Sequence, residues 1–288
     1  MGGGLCLRHR VRAARKQVKR DGGAAAPPFC VLLGGYMAKT KRLKKQTAGR
    51  LVRAVCYTQV LSTDTPRARA EKAKCSTAAR RKLNYRFAYQ KLQMQLAANF
   101  TRRDLYVTLT YDDEHLPPNR KAAKKQVAAF FDRMRRQYRR AGRELRYVYV
   151  TQELQRDGSR RLHHHLIISA TGSGDYDTIR ALWPNGSNVE ILPIGETEMY
   201  VHDDFLELAQ YLLHERNPDA PATAVGDRGW NASRNLRKPV EESEMVDETV
   251  TVTAPPGAFV LDTDHKQNEY GSYDYIVYLL PERSARRE

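Results

Sequence analysis

The chain has 288 residues, 49 of them Lys or Arg against 33 Asp or Glu, which gives a formal charge of +16 and a pI near 9.8. That length suits one large domain or two small ones, and the cation excess points to a phosphate polyanion, nucleic acid foremost, as partner. No apolar run approaches the ~20 residues of a membrane span, and the scattered Cys6, Cys30, Cys56 and Cys75 form neither a CxxC pair nor a zinc-like spacing, so a reduced, cytoplasmic setting is expected.

Residues 1–50 read as a basic, disordered extension. A basic stretch from Arg8 to Arg20, a Gly/Ala/Pro linker and a short apolar piece at Phe29–Leu33 differ from the rest of the chain. The linker separates charge from apolar segment, which a signal peptide does not do. The expected reading is a disordered extension, for which a start codon misassigned upstream of Met37 is one explanation, with export as the weaker alternative. Residues 37–50 read as a flexible basic arm, and Leu51–Leu61 as a short strand or an ordered lead-in.

From Pro66 to about Asn99 the pattern is helical, with Leu83, Phe87, Leu92, Leu96 and Phe100 at helix-like intervals and a basic face from Arg80 to Lys91. Leu105–Tyr111 is β-branched and aromatic, hence a strand. The loop Asp112–Pro118 follows, its acidic residues suited to the start of the next helix. That helix, about Lys121–Ala141, buries Val127, Phe130, Phe131 and Met134, and Gly142 suits its C-terminal end. Arg146–Leu154 is a strand, Asp157-Gly158 a hairpin signal, and Arg161–Ser169 the returning strand. Tyr176–Leu182 reads as a helix, Val189–Leu192 as a strand and Asp203–Arg216 as a helix. Val246–Val252, Phe259–Leu261 and Tyr273–Leu279 read as peripheral strands. The order predicts an α+β fold, an antiparallel sheet covered mainly on one face. Its expected divisions are a domain over residues 51–240 and a C-terminal extension over 241–288.

The returning strand carries His163-His164-His165. Side chains alternate faces along a strand, so His163 and His165 share one face and can converge on a divalent cation, while His164 looks the other way beside Leu162 and Leu166. On this pattern His164 is the histidine most open to replacement. A surface-facing pair without a metal is the alternative.

Three elements then line up: Tyr106–Pro117, the triple-histidine strand, and a helix carrying Tyr211 in Ala-Gln-Tyr-Leu-Leu-His-Glu. Together they resemble the replication initiators of the HUH endonuclease superfamily, particularly the single-tyrosine rolling-circle proteins of small single-stranded DNA phages and related integrated elements. The likeness extends over about residues 50–240 and includes the tract Trp230–Pro239. It departs at His214, where the family carries lysine; a histidine is only partly protonated near neutral pH.

The resemblance implies a metal-dependent enzyme that nicks and rejoins single-stranded DNA at a replication origin. Tyr211 would be the nucleophile, forming a 5′-phosphotyrosyl link, with His214 assisting. His163 and His165 would hold Mg²⁺ or Mn²⁺, and Glu153, across the hairpin turn, matches the family's acidic ligand. Arg234, Arg237, Lys238 and Trp230 would contact DNA. The chain has no Walker-type phosphate loop, so a host helicase and DNA polymerase are the expected partners, in a bacterial cytoplasm. A relaxase or single-strand transposase with the same chemistry, and a non-catalytic nucleic-acid-binding protein with a decayed site, are the competing readings.

Overall fold

A computed structural model describes residues 40–59, 78–154, 159–172, 174–216, 229–269 and 271–282. The N-terminal unit Met1–Ala38, the first part of the long helical pattern, the Asp157-Gly158 turn, and Cys6, Cys30 and Cys75 lie outside the described residues. The second unit, Lys39–Glu288, is α+β, as the pattern predicts.

Its first sheet contains β3 (Leu105–Leu109), β4 (Tyr147–Leu154), β5 (Arg160–Ile168), β6 (Val189–Pro193) and β7 (Asn231–Ala232), in the order β6-β3-β5-β4-β7. All its pairings are antiparallel. Helices cover both faces of this sheet rather than mainly one. On one side, α2 (Arg120–Arg140) and α3 (Asp175–Leu182) bury Phe130, Phe131, Met134 and Ile179 against Leu105, Val107, Leu109, Leu166 and Ile168. Phe130 and Phe131 are almost completely buried, each contributing roughly 1.5–3 kcal/mol of apolar transfer. On the other side, α1 (Ala78–Ala97) and α4 (Leu206–Leu212) close over Tyr106, Val148, Val150 and Ile167. Both helices of this layer are legible in the sequence, but the face on which they pack is not.

A second antiparallel sheet has the order β8-β1-β2-β10-β9, built from β1 (Lys41–Ala48), β2 (Leu51–Thr58), β8 (Val240–Val246), β9 (Phe259–Asn268) and β10 (Gly271–Leu279). Lys41–Ala48 is therefore a strand and not a flexible arm: it pairs with β2 through the tight turn at Gly49 and with β8 on its other edge. Gly49 has φ +58, and an added Cβ would stand 2.6 Å from the Ala97 carbonyl oxygen, so both conformation and space call for glycine. The C-terminal strands share this sheet with the first two, and Val246–Val252 is strand only at its first residue.

The helix α1 joins the two sheets. Met94 and Ala97 pack on Leu51 and Leu279 of the second sheet, whereas Leu92, Leu96 and the following Phe100 pack toward the first. Among the described residues no helix is long and apolar enough to cross a membrane.

Candidate active site

The histidine strand divides as its alternation predicts. Across the sheet Gln152 stands opposite His163, Thr151 opposite His164, and both Val150 and Thr108 opposite His165. His163 and His165 share the α4 face with ring centroids 4.8 Å apart. His164 lies in the core beneath α2, fully buried: Tyr111 Oη is 2.6 Å from its Nε2 and Thr151 Oγ1 is 3.0 Å from its Nδ1. Burial pushes its pKa down to about 3, with His163 adding to the shift. The expectation that His164 is the most replaceable of the three is therefore corrected, because both ring nitrogens have buried partners.

A backbone carbonyl orients the His163 ring and side-chain hydroxyls orient that of His165. His163 Nδ1 is 2.8 Å from the Arg161 carbonyl oxygen, which can only accept, so Nδ1 carries the proton and Nε2 keeps the lone pair. Burial, the main cause, lowers the His163 pKa, and His214 and Arg120 act in the same direction. For His165, Nδ1 faces Tyr106 Oη at 2.6 Å and Thr108 Oγ1 at 3.3 Å. Both hydroxyls can accept from Nδ1–H, and in that tautomer Nε2 keeps the lone pair; unlike a carbonyl, a hydroxyl can also donate to Nδ1. The Tyr106 phenol is pushed far above its ordinary value by burial first and by Tyr211 next, so it stays a neutral hydrogen-bonding group.

Tyr211 stands on α4, its ring centroid 5.3 Å from that of His165. The helix begins at Phe205, which adopts left-handed φ 57, an uncommon conformation for an aromatic residue. Burial of Phe205 and its edge contact with Tyr200 hold it there. After Leu212 the helix gives way to a 3-10 turn, His214–Arg216, so the predicted single helix Asp203–Arg216 is two pieces. The His214 ring lies 5.5 Å from Tyr211, and its Nδ1–H donates to the Tyr211 carbonyl at 2.7 Å. His163, His165, Tyr211 and His214 line one cleft of about 810 Å³, together with Tyr106, Thr108 and Glu190.

Glu153 is not brought to this cleft. It accepts from Arg120 Nε at 3.1 Å, while Arg120 donates on to the Thr151 carbonyl and to Glu215 Oε2. Glu215 in turn accepts the backbone N–H groups of Glu153 and Leu154. Burial opposes ionisation of Glu215, but the Arg120 and backbone hydrogen bonds outweigh it and hold its carboxyl below the usual range. The pairing register shifts between Gln152 and Leu154, and the side chain beside His163 is that of Gln152. Its Nε2 donates to the Leu212 carbonyl at 3.0 Å, while its buried Oε1 has no hydrogen-bond partner among the described residues. Among those residues, no group of three or more His, Cys, Asp or Glu stands together as a metal cage.

The expected DNA-contacting residues lie elsewhere. Trp230 is half-buried against the α4 core, and Arg234, Arg237 and Lys238 are exposed. The Arg237 backbone is pinned to Gln95 and Asn99 at the end of α1. Asp112 receives the N–H and hydroxyl of Ser187, and Asp113 pairs with Arg161 at 2.7 Å; the N-cap of α2 is Asn119. The acidic loop thus anchors the cleft rim and does not start the helix.

Tyr106, Thr108, Gln152 and Glu190 were not singled out from sequence. Alternation along β3 already places Tyr106 and Thr108 on one face, and a partner for His165 was readable there. Glu190 follows only from the pairing of β6 with β3, which sets it opposite Thr108.

No curated protein and no solved structure matches the chain. Residues 104–213, which include β3, the histidine strand and Tyr211, match the family model described as replication-associated protein ORF2/G2P, a similarity that supports a role in replication initiation.

Proposed function

We propose that this chain is a rolling-circle replication initiator of the HUH type that nicks and rejoins single-stranded DNA at an origin. The observation that carries this reading is the convergence of Tyr211 with His163 and His165 in one cleft inside the matched segment. The Tyr211 hydroxyl attacks the scissile phosphorus, the bond from phosphorus to the 3′-oxygen breaks, and a 5′-phosphotyrosyl link forms. His214 Nε2, whose lone pair is set by the Nδ1–H bond to the Tyr211 carbonyl, accepts the phenolic proton. That proton returns to the released 3′-oxygen, whose hydroxyl then primes synthesis, and reversal rejoins the strand.

Two imidazole nitrogens and an amide oxygen form a borderline donor set that leaves positions for oxygen ligands from DNA, which favours Mn²⁺ or Mg²⁺ over a closed structural site. His163 Nε2, His165 Nε2 and Gln152 Oε1 are the atoms that would hold Mg²⁺ or Mn²⁺, the unpartnered amide oxygen taking the place expected for Glu153. Such an ion supplies charge withdrawal from a nonbridging phosphate oxygen. A second reading, a non-catalytic DNA-binding protein with a decayed site, draws on His214 at the lysine position and on the diversion of Glu153 to Arg120.

Within the leading reading, residues 51–240 act as the nicking unit, with host helicase and DNA polymerase as partners. Incubation with labelled single-stranded origin oligonucleotides and Mn²⁺ tests it. A covalent adduct that is lost in Tyr211→Phe supports the assignment; absence of any adduct, or one undiminished in Tyr211→Phe, overturns it.

A further inference from the structure

Away from the histidine cleft, α1 and the second sheet diverge. The C-terminal half of α1 is packed on the sheet through Met94 and Ala97. Its N-terminal half is largely exposed and stands over an open groove of about 1110 Å³. The floor is the face of β10 carrying Tyr273 and Tyr275, whose rings are nearly parallel with centroids 6.5 Å apart. Phe87 faces it from α1, 57% exposed, and Tyr273 is 37% exposed. A helix and a sheet that leave two aromatic rings open to water lose burial that a ligand can restore.

The charge of the groove says which ligand. Arg53, Arg86, Lys91, Lys238 and Lys266 line it against the carboxylates Glu241 and Asp264. Arg86 lies over the ring of the buried Tyr275 at 5.9 Å, which holds this cation on the groove floor beside the exposed rings of Phe87 and Tyr273. Exposed rings set among cations match the chemistry of unpaired bases on a phosphate chain: rings stack on bases of any identity and cations follow the backbone. A duplex hides its base faces, and an acidic peptide has no use for the rings.

We propose that this groove is a second single-stranded DNA platform, separate from the nicking cleft, that holds part of the strand while Tyr211 acts on another part. The proposal rests on the nuclease reading for its biological setting but not for its chemistry. The full chain is titrated into a fluorescently labelled thymidine oligonucleotide, with a duplex of the same length in parallel.

Phe87→Ala combined with Tyr273→Ala weakens single-strand binding by about tenfold, given the loss of one or two base stacks, and leaves duplex binding in place. Lys91→Glu with Lys266→Glu flattens the salt dependence by roughly 1–2 in log–log slope. Both pairs include partly exposed positions, so folding is checked by unchanged melting. Single-strand affinity unchanged in the aromatic pair, or a loss equally large on duplex, overturns the proposal. If groove variants lose affinity while no adduct ever forms, the platform stands and the nuclease reading falls; if adducts form and affinity does not move, the reverse holds.

Discussion

The ring of Tyr211 lies 5.3 Å from that of His165, and Tyr106 Oη lies 2.6 Å from His165 Nδ1. One imidazole thus connects β3, β5 and α4, three elements brought together from distant parts of the chain. Its Nδ1 side is held by the sheet's hydroxyls, and in the proposed reading the opposite nitrogen is the one that would face a metal ion.

His164 is expected to be the most destabilising of the three histidines to remove. His164→Ala leaves the Tyr111 and Thr151 hydroxyls short of a buried partner and opens a void beneath α2. The expected cost is about 2–4 kcal/mol. Chemical denaturation of His164→Ala beside His163→Ala checks it; a smaller loss for His164→Ala contradicts the packing described.

Gln152 and Glu153 are expected to behave oppositely. Glu153→Gln keeps Mn²⁺-dependent cleavage within a fewfold, because that side chain answers to Arg120. Gln152→Ala raises the Mn²⁺ concentration needed for half-maximal cleavage by roughly 10–100-fold, the range typical of lost support at a metal site. A Mn²⁺ titration of cleavage separates the two, and the reverse ranking restores Glu153 as the ligand.

Asp204 gives the fold a pH dependence. Its buried carboxyl accepts from Gln93 Nε2 at 3.2 Å, and burial, with Glu207 second, pushes its pKa up to about 6. The folded state therefore binds this proton more tightly than the unfolded chain. Stability is greater with Asp204 protonated and declines as pH rises from roughly 4 to about 6. Asp204→Asn is expected to remove that decline and to raise stability at pH 7 by roughly 1–3 kcal/mol. Melting curves from pH 4 to pH 7 (approximate bounds from the ordinary carboxylate value) check this, and an identical pH profile in the variant contradicts it.

The α+β order and most elements of the first sheet were legible because their alternation and helical periods are strong, as in Leu105–Leu109 and Arg120–Arg140. The second sheet was not. Its pairs join β1 and β2 to strands about two hundred residues or more later, as Lys41 to Val246 shows, and no local period carries such a pairing. Within the cleft, alternation gave the facing of His163, His164 and His165. It did not give the tight tethering of His164, which depends on Tyr111, just past β3, and on Thr151 of β4. The contact of Glu153 with Arg120 was not legible for a related reason: the register shift between Gln152 and Leu154 is invisible to a strict two-residue period.

The most direct test of the central claim is the covalent link itself. Wild-type protein, a labelled single-stranded origin oligonucleotide and Mn²⁺ are combined and resolved on a denaturing gel, and the adducted peptide is identified by mass spectrometry. A DNA adduct on Tyr211, lowered by several orders of magnitude in Tyr211→Phe, is the expected result. An adduct on another residue, or one that survives Tyr211→Phe, contradicts it.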